Sequence, residues 1–494
     1  MTRPELTPEQ LLPATARGAR TYVEAAPGSG KTFLAVERYG YLRFGLHARD
    51  HRGIGAVSFA RSASAELLGR IVRRWGASAA RWPNFVGTID ELHRRLLKHL
   101  IETGQVLWPG APPDISVKDT WRQSPGARNR LGKAPGWWSV DLDPNGEVAP
   151  VLVSEGPRPP AFFTDRGAYL AVLETGRCTH DEVRALIGAA LLRPVPTLRE
   201  AIKGFLAASF VHLVVDEAFD MNELDIALVG TMAEGEVGVT VVGDPWQSLY
   251  EFRGSRPKLM ATLVGDGFTK HSVLGSHRYR TDDMRTLARQ LALGDPFAVA
   301  AAEPGRLPDV VLATTWSPLW EQAELPLLPP GLGGRIAGGP YSAALLILLN
   351  EVTTDRFGVA VTGFGEAAAL LGWDGDRSRL VDAVGELAGG GDEQAIWTAL
   401  KSGLARAGES WPAPGVIAGR RLARLVELVR GGPSVLALSV HQAKGLQWPA
   451  VDFLQNVMEP GERYRLDEDS QLSRQVYVAL TRAQDSVRLR RAPR

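Results

Sequence analysis

Apolar runs of strand length alternate with longer stretches of helical periodicity over the first hundred residues of the chain. Residues 21–24 and 55–59 form two such apolar runs, and a helical pattern begins after Lys31. Helical patterns and apolar runs recur at 181–192, 198–208, 211–215 and 239–242. Strands that alternate with helices are typical of an α/β fold around a parallel sheet, which this pattern predicts.

Two regions break the pattern. From about Val106 to Pro160 the chain is rich in proline, glycine and tryptophan, which favours an inserted subdomain over a continuation of the sheet. Residues 296–340 are again rich in proline and glycine, and the apolar run 343–349 is predicted to be the strand that opens a second α/β unit. The other elements predicted for that unit are helices near 376–387 and 420–429 and strands at 435–440 and 451–454.

Composition limits the class of protein. The chain has 494 residues, enough for roughly three domains of about 150 residues each. No apolar stretch reaches the roughly 18 residues of a membrane span, and the N-terminus lacks the apolar core of a secretory signal. We therefore expect a cytoplasmic protein without membrane contact. Cys178 is the single cysteine, which excludes an internal disulfide and a cysteine-rich metal cluster.

The formal net charge is only +1, so any nucleic acid must be bound by local surfaces and not by the field of the whole protein. Basic residues cluster between Lys118 and Lys133 and again from Arg488 to Arg494. For both clusters we favour a solvated surface over a dedicated DNA contact. The same interpretation applies to the basic residues of one predicted helix, His93, Arg94, Arg95 and Lys98. Contact with phosphate is the alternative for these four.

A phosphate-binding loop is indicated where the first predicted strand meets the first helix. Its residues are Ala25, Ala26, Pro27, Gly28, Ser29, Gly30, Lys31 and Thr32. Small residues let backbone amides curl around a phosphate, and the helix N-terminus adds positive potential. Lys31 would reach the β- and γ-phosphates, and the Thr32 hydroxyl would bind Mg²⁺. Ala25 stands where such loops usually have their first glycine.

Two acidic residues, Asp216 and Glu217, follow the apolar run 211–215. A carboxylate at the end of such a strand can hold Mg²⁺, and its neighbour can orient or deprotonate the attacking water. Alone, such a pair is more often a helix N-cap. Together with the phosphate loop, the pair favours catalysis.

A third motif extends from Gly243 to Gly254, directly after the apolar run 239–242. Gln247 could sense the γ-phosphate, and the rings of Tyr250 and Phe252 could stack on unpaired bases. Packing in the core is the alternative for this aromatic pair.

Taken in order, these motifs resemble those of superfamily 1 helicases of the UvrD/PcrA/Rep type. Further similar segments are 6–10 (LTPEQ), 57–66 (VSFARSASAE), 87–90 (GTID), 276–278 (SHR), 439–447 (SVHQAKGLQ) and 477–483 (YVALTRA). The resemblance implies two RecA-like P-loop domains of the α/β class, with parallel sheets flanked by helices. It also implies an insertion subdomain in the first domain and a reduced one in the second.

The resemblance sets expected domain bounds. Residues 1–100 and 206–290 would form the ATP-binding RecA-like domain, and residues 101–205 its inserted subdomain. Residues 291–494 would form the second RecA-like domain, with the reduced insertion around 355–430.

The family's site residues carry over position by position. Gln10 would recognise adenine, and Gln447 would approach the nucleotide sugar. Arg278 and Arg482 would act on the γ-phosphate from two sides of a cleft, because arginine stays charged and can bind phosphate oxygens bidentately. The implied catalytic set is Lys31, Asp216, Glu217, Gln247, Arg278 and Arg482, with Thr32 and Asp216 on the metal. The residues implied in DNA contact are Phe59, Arg61, Thr88, Tyr250, Phe252, Arg253 and His441.

Three features depart from the family pattern. Phe219 replaces a glutamine, and we leave open whether a contact to the second domain is lost or the ring only packs. Gln447 replaces a glutamate, so a weakened sugar contact is expected. The gap between Arg278 and the strand near residue 435 is short, so the subdomain called 2B in larger relatives must be reduced or missing.

The resemblance implies an ATP- and Mg²⁺-dependent 3′-to-5′ translocase or helicase, acting on single-stranded DNA or a tailed duplex in repair or anti-phage defence. With a reduced 2B, the chain is expected to separate strands only with a partner. The rival hypothesis is an ATP- and DNA-sensing regulatory subunit of a nuclease complex. It rests on residues 87–90, which share three of four positions with the GTND of compact UvrD-like proteins such as GajB of the Gabija system. RNA stays open as the track, because stacking and backbone contacts discriminate poorly between the two polymers.

Two weaker signals have structural alternatives. Thr179 with Glu182 fits a capping box, which we favour over metal binding by the run His180-Asp181-Glu182. Trp137 and Trp138 are either a base-stacking platform or buried anchors of the insertion.

Overall fold

A computed structural model divides the chain into two units, Met1–His277 and Arg278–Arg494. The described residues are 5–59, 61–121, 124, 126–129, 136–143, 145–155, 159, 161–193, 196–249, 251, 254–265, 267–333, 339–405, 408–467 and 469–493. None of the helices in these ranges combines the length and the apolar composition of a membrane-spanning segment.

Unit 1 alternates strands with helices. Its strands are β1 (Arg20–Ala25), β2 (Gly53–Ser58), β3 (Phe85–Thr88), β4 (Ser116–Lys118), β5 (Arg128–Asn129), β6 (Trp137–Leu142), β7 (Val148–Val153), β8 (Ala161–Phe162), β9 (Arg177–Thr179), β10 (Phe210–Val215), β11 (Gly238–Gly243) and β12 (Thr269–Val273). Its helices are α1 (Pro8–Ala14), α2 (Lys31–Gly40), α3 (Arg61–Trp75), α4 (Ile89–Glu102), α5 (Arg166–Glu174), α6 (His180–Leu192), α7 (Pro196–Ser209), α8 (Glu223–Glu234) and α9 (Pro257–Gly265).

Six of these strands form one parallel sheet in the order β12-β1-β11-β10-β2-β3. Strands β2, β10 and β11 are buried along their whole length, as expected for central parallel strands covered on both faces. Helices α2 and α3 supply the core on one face, and α4, α7 and α8 supply it on the other. The predicted α/β fold is confirmed, and each strand predicted for this unit overlaps an observed strand.

The region between α4 and α7 leaves this sheet. Its described strands form three separate pairs, β4 with β9, β5 with β8 and β6 with β7. Two indoles anchor its core: Trp108 donates to the carbonyl of Leu173 at 2.7 Å, and Trp121 donates to the carboxylate of Glu182 at 3.1 Å. The region is therefore not a continuation of the sheet, as its proline- and tryptophan-rich sequence predicts.

Unit 2 contains a second parallel sheet, in the order β14-β15-β13-β16-β17. Its strands are β13 (Val310–Ala313), β14 (Leu327–Leu328), β15 (Val435–Ser439), β16 (Trp448–Gln455) and β17 (Ala483–Arg491). Its helices are α10 (Asp282–Leu293), α11 (Trp316–Glu321), α12 (Gly339–Phe357), α13 (Phe364–Leu371), α14 (Val381–Gly389), α15 (Glu393–Leu404), α16 (Val416–Arg430), α17 (Val440–Ala443) and α18 (Gln471–Leu480).

The apolar run 343–349 was predicted to be a strand, but it lies in the middle of helix α12. All seven of its residues are buried, in a core shared with α13, α14, α15 and α16. A helix that is buried all round loses its apolar stripe, so periodicity cannot separate it from a buried strand. The prediction is wrong for that reason, and β13 is the first strand of the second sheet.

The chain divides after His277, whereas the sequence prediction assigned residues up to 290 to the first domain. The start of α10 is tied to β17 in unit 2. The amide of Arg280 donates to the carbonyl of Gln484 at 2.9 Å, and the Thr281 hydroxyl donates to the carbonyl of Asp485 at 2.9 Å. The other predicted domain bounds stay predictions.

A buried basic pair lies beneath the sheet of unit 1. The Arg38 guanidinium donates to the Thr240 hydroxyl at 3.1 Å, and His212 Nε2 lies 2.8 Å from the same oxygen. Both basic side chains are almost completely buried. Burial, together with the positive charge of Arg38, holds the pKa of His212 well below its usual value.

We expect the unfolding temperature to fall as the pH drops below about 6.5, because His212 takes up a proton in the unfolded chain but stays neutral in the fold. The contribution of neutral His212 to the free energy of unfolding is complete above that pH, and it is lost as the pH falls towards the depressed pKa of the folded state. One such group changes the free energy of unfolding by at most about 1.4 kcal/mol per pH unit. Calorimetry at a series of pH values should show a shallower decline for His212→Asn. The exposed His51→Asn control should keep the wild-type decline, and identical profiles for wild type and His212→Asn would contradict the assignment.

Candidate nucleotide site and DNA-contacting motifs

The predicted catalytic residues of unit 1 gather at the carboxyl ends of three neighbouring strands. Lys31 and Thr32 open α2 just after β1, Asp216 and Glu217 follow β10, and Gln247 follows β11. Since β1 pairs with β11 and β11 with β10, these strand ends lie side by side. Ligands of open parallel sheets bind at this edge.

The phosphate loop has the backbone of an anion-binding turn. Gly28 and Gly30 have φ angles of 75° and 79°, in the left-handed region that favours glycine. The Ser29 amide donates to the carbonyl of Ala26 at 3.1 Å. The Ser29 hydroxyl is buried and has no hydrogen-bond partner among the described residues. A buried hydroxyl beside a helix N-terminus fits a phosphate oxygen.

Gln10 supports this loop from helix α1. It is 2% exposed, its side-chain amide donates to the carbonyl of Ser29 at 2.7 Å, and its side-chain carbonyl accepts from the Thr7 amide at 3.0 Å. The residue therefore links α1 to the phosphate loop. Its recognition of adenine stays a prediction.

Lys31 and Gln247 are connected through Asp244, a residue of the third motif for which the sequence predicted no role. The Lys31 ammonium donates to the carbonyl of Ala25 at 3.3 Å and lies 3.9 Å from Asp244 Oδ2. The Gln247 amide donates to that same oxygen at 2.8 Å. Asp244 is buried at the end of β11. The sequence signal that could have identified Asp244 is an acidic residue at the end of a strand, three positions before Gln247.

The surroundings of Asp216, at the end of β10, are compatible with the metal-binding role predicted for it, and this role and that of Glu217 stay predictions. Asp216 is buried, accepts a hydrogen bond from the Thr32 side chain and also from the Glu217 amide, the latter at 3.0 Å. Burial, and then the charge of Glu217, raise the pKa of Asp216 to about 7, against the opposing effect of Lys31. Lys31 thus compensates the negative charge of this buried carboxylate only in part. A carboxylate in such a setting, next to a hydroxyl, suits a hard cation that prefers oxygen ligands. Asp216 and Thr32 would hold Mg²⁺.

Phe219, the replacement for the family glutamine, packs in the core. Its ring is 2% exposed and lies 5.9 Å from that of Tyr22. A Cβ on Gly243 would come within 2.7 Å of it. The Ser248 hydroxyl donates to the Phe219 carbonyl at 2.7 Å. Of the two open interpretations, the structure therefore favours the packed ring.

In unit 2, three predicted site residues converge. The Arg278 guanidinium donates to Gln447 Oε1 at 3.1 Å and to the carbonyl of Thr481 at 2.6 Å. The neighbouring Arg482 is buried, and its guanidinium donates to the carbonyl of Val478 at 3.0 Å. Arg278, Gln447 and the segment of Arg482 therefore meet within unit 2, so the two arginines that were predicted on two sides of a cleft belong to the same unit. Their action on the γ-phosphate stays a prediction. Because Arg278 holds its side-chain oxygen, the contact of Gln447 with sugar stays a prediction.

The DNA-contacting motifs are only partly described. Phe59 directly follows β2, His441 lies in α17 just after β15, and both are half-buried. Thr88 caps α4, since its hydroxyl accepts from the Glu91 amide at 3.2 Å. Arg61 forms an exposed ion pair with Asp119 of the insertion. The remaining predicted contacts, Tyr250, Phe252 and Arg253, lie outside the described residues.

A charged network ties the insertion to the helix after Thr88. Arg184 of α6 donates to both oxygens of Asp90, at 2.9 and 2.6 Å. His93 lies next to it, fully buried, with Nε2 3.5 Å from Asp225 Oδ1. The prediction that His93 is solvated is wrong, because α4 turns this face towards α6 and α8. Arg94, Arg95 and Lys98 are exposed, which is compatible with solvation and with contact to phosphate alike, so their solvation stays a prediction.

The weaker sequence signals have structural explanations. Thr179 and Glu182 form the predicted capping box at the start of α6. Trp137 is buried and Trp138 is half-buried, which favours anchors over a stacking platform.

The basic clusters also show internal ion pairs. Near the C-terminus, Arg490 pairs with Asp452 at 2.8 Å and Arg491 with Glu459 at 2.6 Å. These pairs support the interpretation of a structural surface. The cluster between Lys118 and Lys133 falls partly outside the described residues.

Known proteins resemble the chain along these same segments. The family model of the UvrD/REP helicase N-terminal domain matches residues 6–131 and 182–266, and that of the UvrD-like helicase C-terminal domain matches residues 434–489. Together the two matches cover more than half of the chain. They include the phosphate loop, the acidic pair after β10 and the segment of Arg482.

Curated relatives match about half of the chain. DNA helicase II of Salmonella typhimurium is 28% identical over 274 residues, which are 52% of this chain and 36% of that protein. The ATP-dependent DNA helicase PcrA of Leuconostoc citreum is 24% identical, over 52% of this chain and 35% of that protein. The ATP-dependent DNA helicase Rep of Escherichia coli is 25% identical, over 49% and 36%. The match thus spans about a third of each relative's length. With both domain models in their family order, the chain belongs to the UvrD/Rep-type helicase family of superfamily 1.

Proposed function

We propose that this protein is an ATP- and Mg²⁺-dependent motor that moves 3′ to 5′ along single-stranded DNA. The observation that supports this most is the gathering of Lys31, Thr32, Asp216, Asp244 and Gln247 at one sheet edge. The relatives are named DNA helicases, two of them ATP-dependent. The direction of movement is carried over from the family.

Each residue has a defined task in hydrolysis. Lys31 would neutralise the β- and γ-phosphates, and Glu217 would take the proton of the water that attacks the γ-phosphorus as the bond to the leaving oxygen breaks. Bound Mg²⁺ would supply further charge neutralisation. Arg278 and Arg482 would stabilise the charge that develops on the γ-phosphoryl group. Gln247, through Asp244, would register whether the phosphate is present.

The five helices α12 to α16 stand in the sequence gap where larger relatives carry the 2B subdomain. They share a single apolar core within unit 2. We propose that this compact segment leaves the motor able to translocate, and that duplex separation requires a partner such as a nuclease or another protein. A role in DNA repair or in anti-phage defence is compatible with such a motor.

Two assays of the purified chain test the proposal. Streptavidin bound to the 5′ end of a single strand should be displaced in the presence of ATP, whereas streptavidin at the 3′ end should stay. A 3′-tailed duplex should be unwound poorly under the same conditions. Efficient unwinding would contradict the need for a partner. If DNA did not change the rate of ATP hydrolysis and streptavidin stayed bound at both ends, the proposal of a motor would be wrong. That result would favour the regulatory subunit of a nuclease complex.

The Arg61–Asp119 pair leads to a prediction about DNA affinity. The Asp119 carboxylate pairs with the Arg61 guanidinium and therefore competes with a DNA phosphate for it. We expect Asp119→Asn to strengthen single-stranded DNA binding, by no more than about fivefold because exposed ion pairs contribute at most about 1 kcal/mol. Anisotropy titrations at low salt measure the effect, with Asp141→Asn, which breaks the ion pair with Arg193 in the insertion, as the control. Weaker binding by Asp119→Asn would argue against Arg61 as a phosphate contact.

A further inference from the structure

A basic and aromatic surface lies at the edge of the unit 1 sheet opposite the nucleotide site. Residues 43–52 lead into the amino end of β2, and residues 73–82 lead into the amino end of β3. These strands are paired, so the two segments are neighbours. The phosphate loop and Thr88 lie at the carboxyl ends of strands in the same sheet. The length of a strand therefore separates the two places.

Direct contacts join the two segments into one surface. The ring centroids of Phe44 and Trp75 are 5.6 Å apart. At the base of the strands, a Cβ on Gly53 would lie only 1.9 Å from the carbonyl oxygen of Pro83. The backbones are therefore packed against each other, and side chains from both segments project from the same end of the sheet.

The charge of this surface is strongly positive. The two segments contain a single carboxylate, Asp50, and six arginines, Arg43, Arg49, Arg52, Arg73, Arg74 and Arg81. Asp50 pairs with Arg52, and Glu37 of α2 pairs with Arg74. Among the described residues, the exposed Arg49, Arg73 and Arg81 have no carboxylate within ion-pair distance. Three guanidinium groups are thus left for an anionic ligand.

Two exposed rings accompany these arginines. Trp82 is 89% exposed and Phe44 is 49% exposed. Exposed rings among unpaired arginines suit unpaired nucleic acid, since bases stack on the rings while phosphates bind the guanidinium groups. An acidic polypeptide would use the charge but would gain little from the rings. Nucleic acid therefore accounts for more of the surface.

We propose that the segments 43–52 and 73–82 form a second binding site for single-stranded nucleic acid. The site is separate from the DNA-contacting motifs at the carboxyl edge of the sheet and does not depend on ATP. By holding one part of a strand, it raises the effective concentration of the rest at the motor.

Photocrosslinking and titration test this site on the full chain without ATP. Oligodeoxythymidylate that carries 4-thiothymidine should crosslink to one of two tryptic peptides, the one that begins at Trp82 after Arg81 or the one that contains Phe44. Titration of a short labelled oligodeoxythymidylate should reveal two sites on the wild-type protein. Trp82→Ala should weaken the second site by about 5- to 150-fold, the range for one lost base stack. Because its side chain is so exposed, the truncation should leave folding intact.

Charge reversal gives an independent readout. The double variant Arg49→Glu and Arg81→Glu should reduce the dependence of log affinity on log salt at the second site by about 1.4, for two lost phosphate contacts. Arg166→Glu, at an exposed arginine of the insertion, should bind like wild type. These measurements need no hydrolysis, so they can succeed even if the motor proposal fails.

Three outcomes would overturn the proposal. One is the absence of crosslinks in both segments. Another is a titration with a single site that none of these variants changes. The third is displacement of the oligonucleotide by polyglutamate at equal charge, together with wild-type affinity of Trp82→Ala, which would assign the surface to acidic proteins.

Discussion

Lys31→Ala is expected to lower DNA-stimulated ATP hydrolysis at least about 100-fold, the usual cost of losing one preorganised charge contact to a transition state. The ammonium is nearly buried, with 10% of the side chain exposed, and lies 3.9 Å from Asp244 Oδ2. It also opposes the rise in the pKa of Asp216. Its removal leaves Asp216, Glu217 and Asp244 to face the phosphates uncompensated. We therefore expect both nucleotide affinity and turnover to be lost.

Phosphate release with excess oligodeoxythymidylate and Mg²⁺ measures this effect. Lys203→Ala, which removes a half-buried lysine of α7 that is not among the predicted site residues, provides the matched control and should keep wild-type turnover. If the DNA-stimulated turnover of Lys31→Ala stayed within a factor of about two of wild type, the phosphate loop could not be the site of ATP hydrolysis.

The site in unit 1 could be predicted from the sequence because each motif follows an apolar strand. Parallel strands present their carboxyl ends at one edge, so order along the chain was enough to bring Lys31, Asp216 and Gln247 together. Asp244 was missed because its role depends on a contact between two of these strand ends. Its partners, Lys31 and Gln247, are far apart in sequence.

Long-range burial also explains the errors. His93 has the sequence context of a solvated helix residue, yet α6 and α8 cover it and place it beside Asp225. Nothing local in the sequence indicates that Arg184 will pair with Asp90 from a distant helix. The run 343–349 failed for a related reason, since a helix surrounded by four others has no polar face to mark it.

Glu217→Gln is expected to separate nucleotide binding from hydrolysis. Glu217 has a φ of 54°, an unusual conformation for a residue with a side chain, and its amide donates to Asp216 at 3.0 Å. Glutamine keeps the length and the backbone bond but cannot take a proton from water. The loss of a general base lowers turnover by about 10² to 10⁴-fold. Nucleotide affinity should change little, because Lys31 and the loop amides are intact.

A fluorescent ATP analogue and phosphate release, measured on the same preparation, distinguish this variant from Lys31→Ala. Glu217→Gln should bind the analogue and fail to turn over, whereas Lys31→Ala should fail at both. Glu102→Gln, at an exposed position of α4, controls for the loss of one carboxylate. If Glu217→Gln retained turnover, the proton would have to leave through another group.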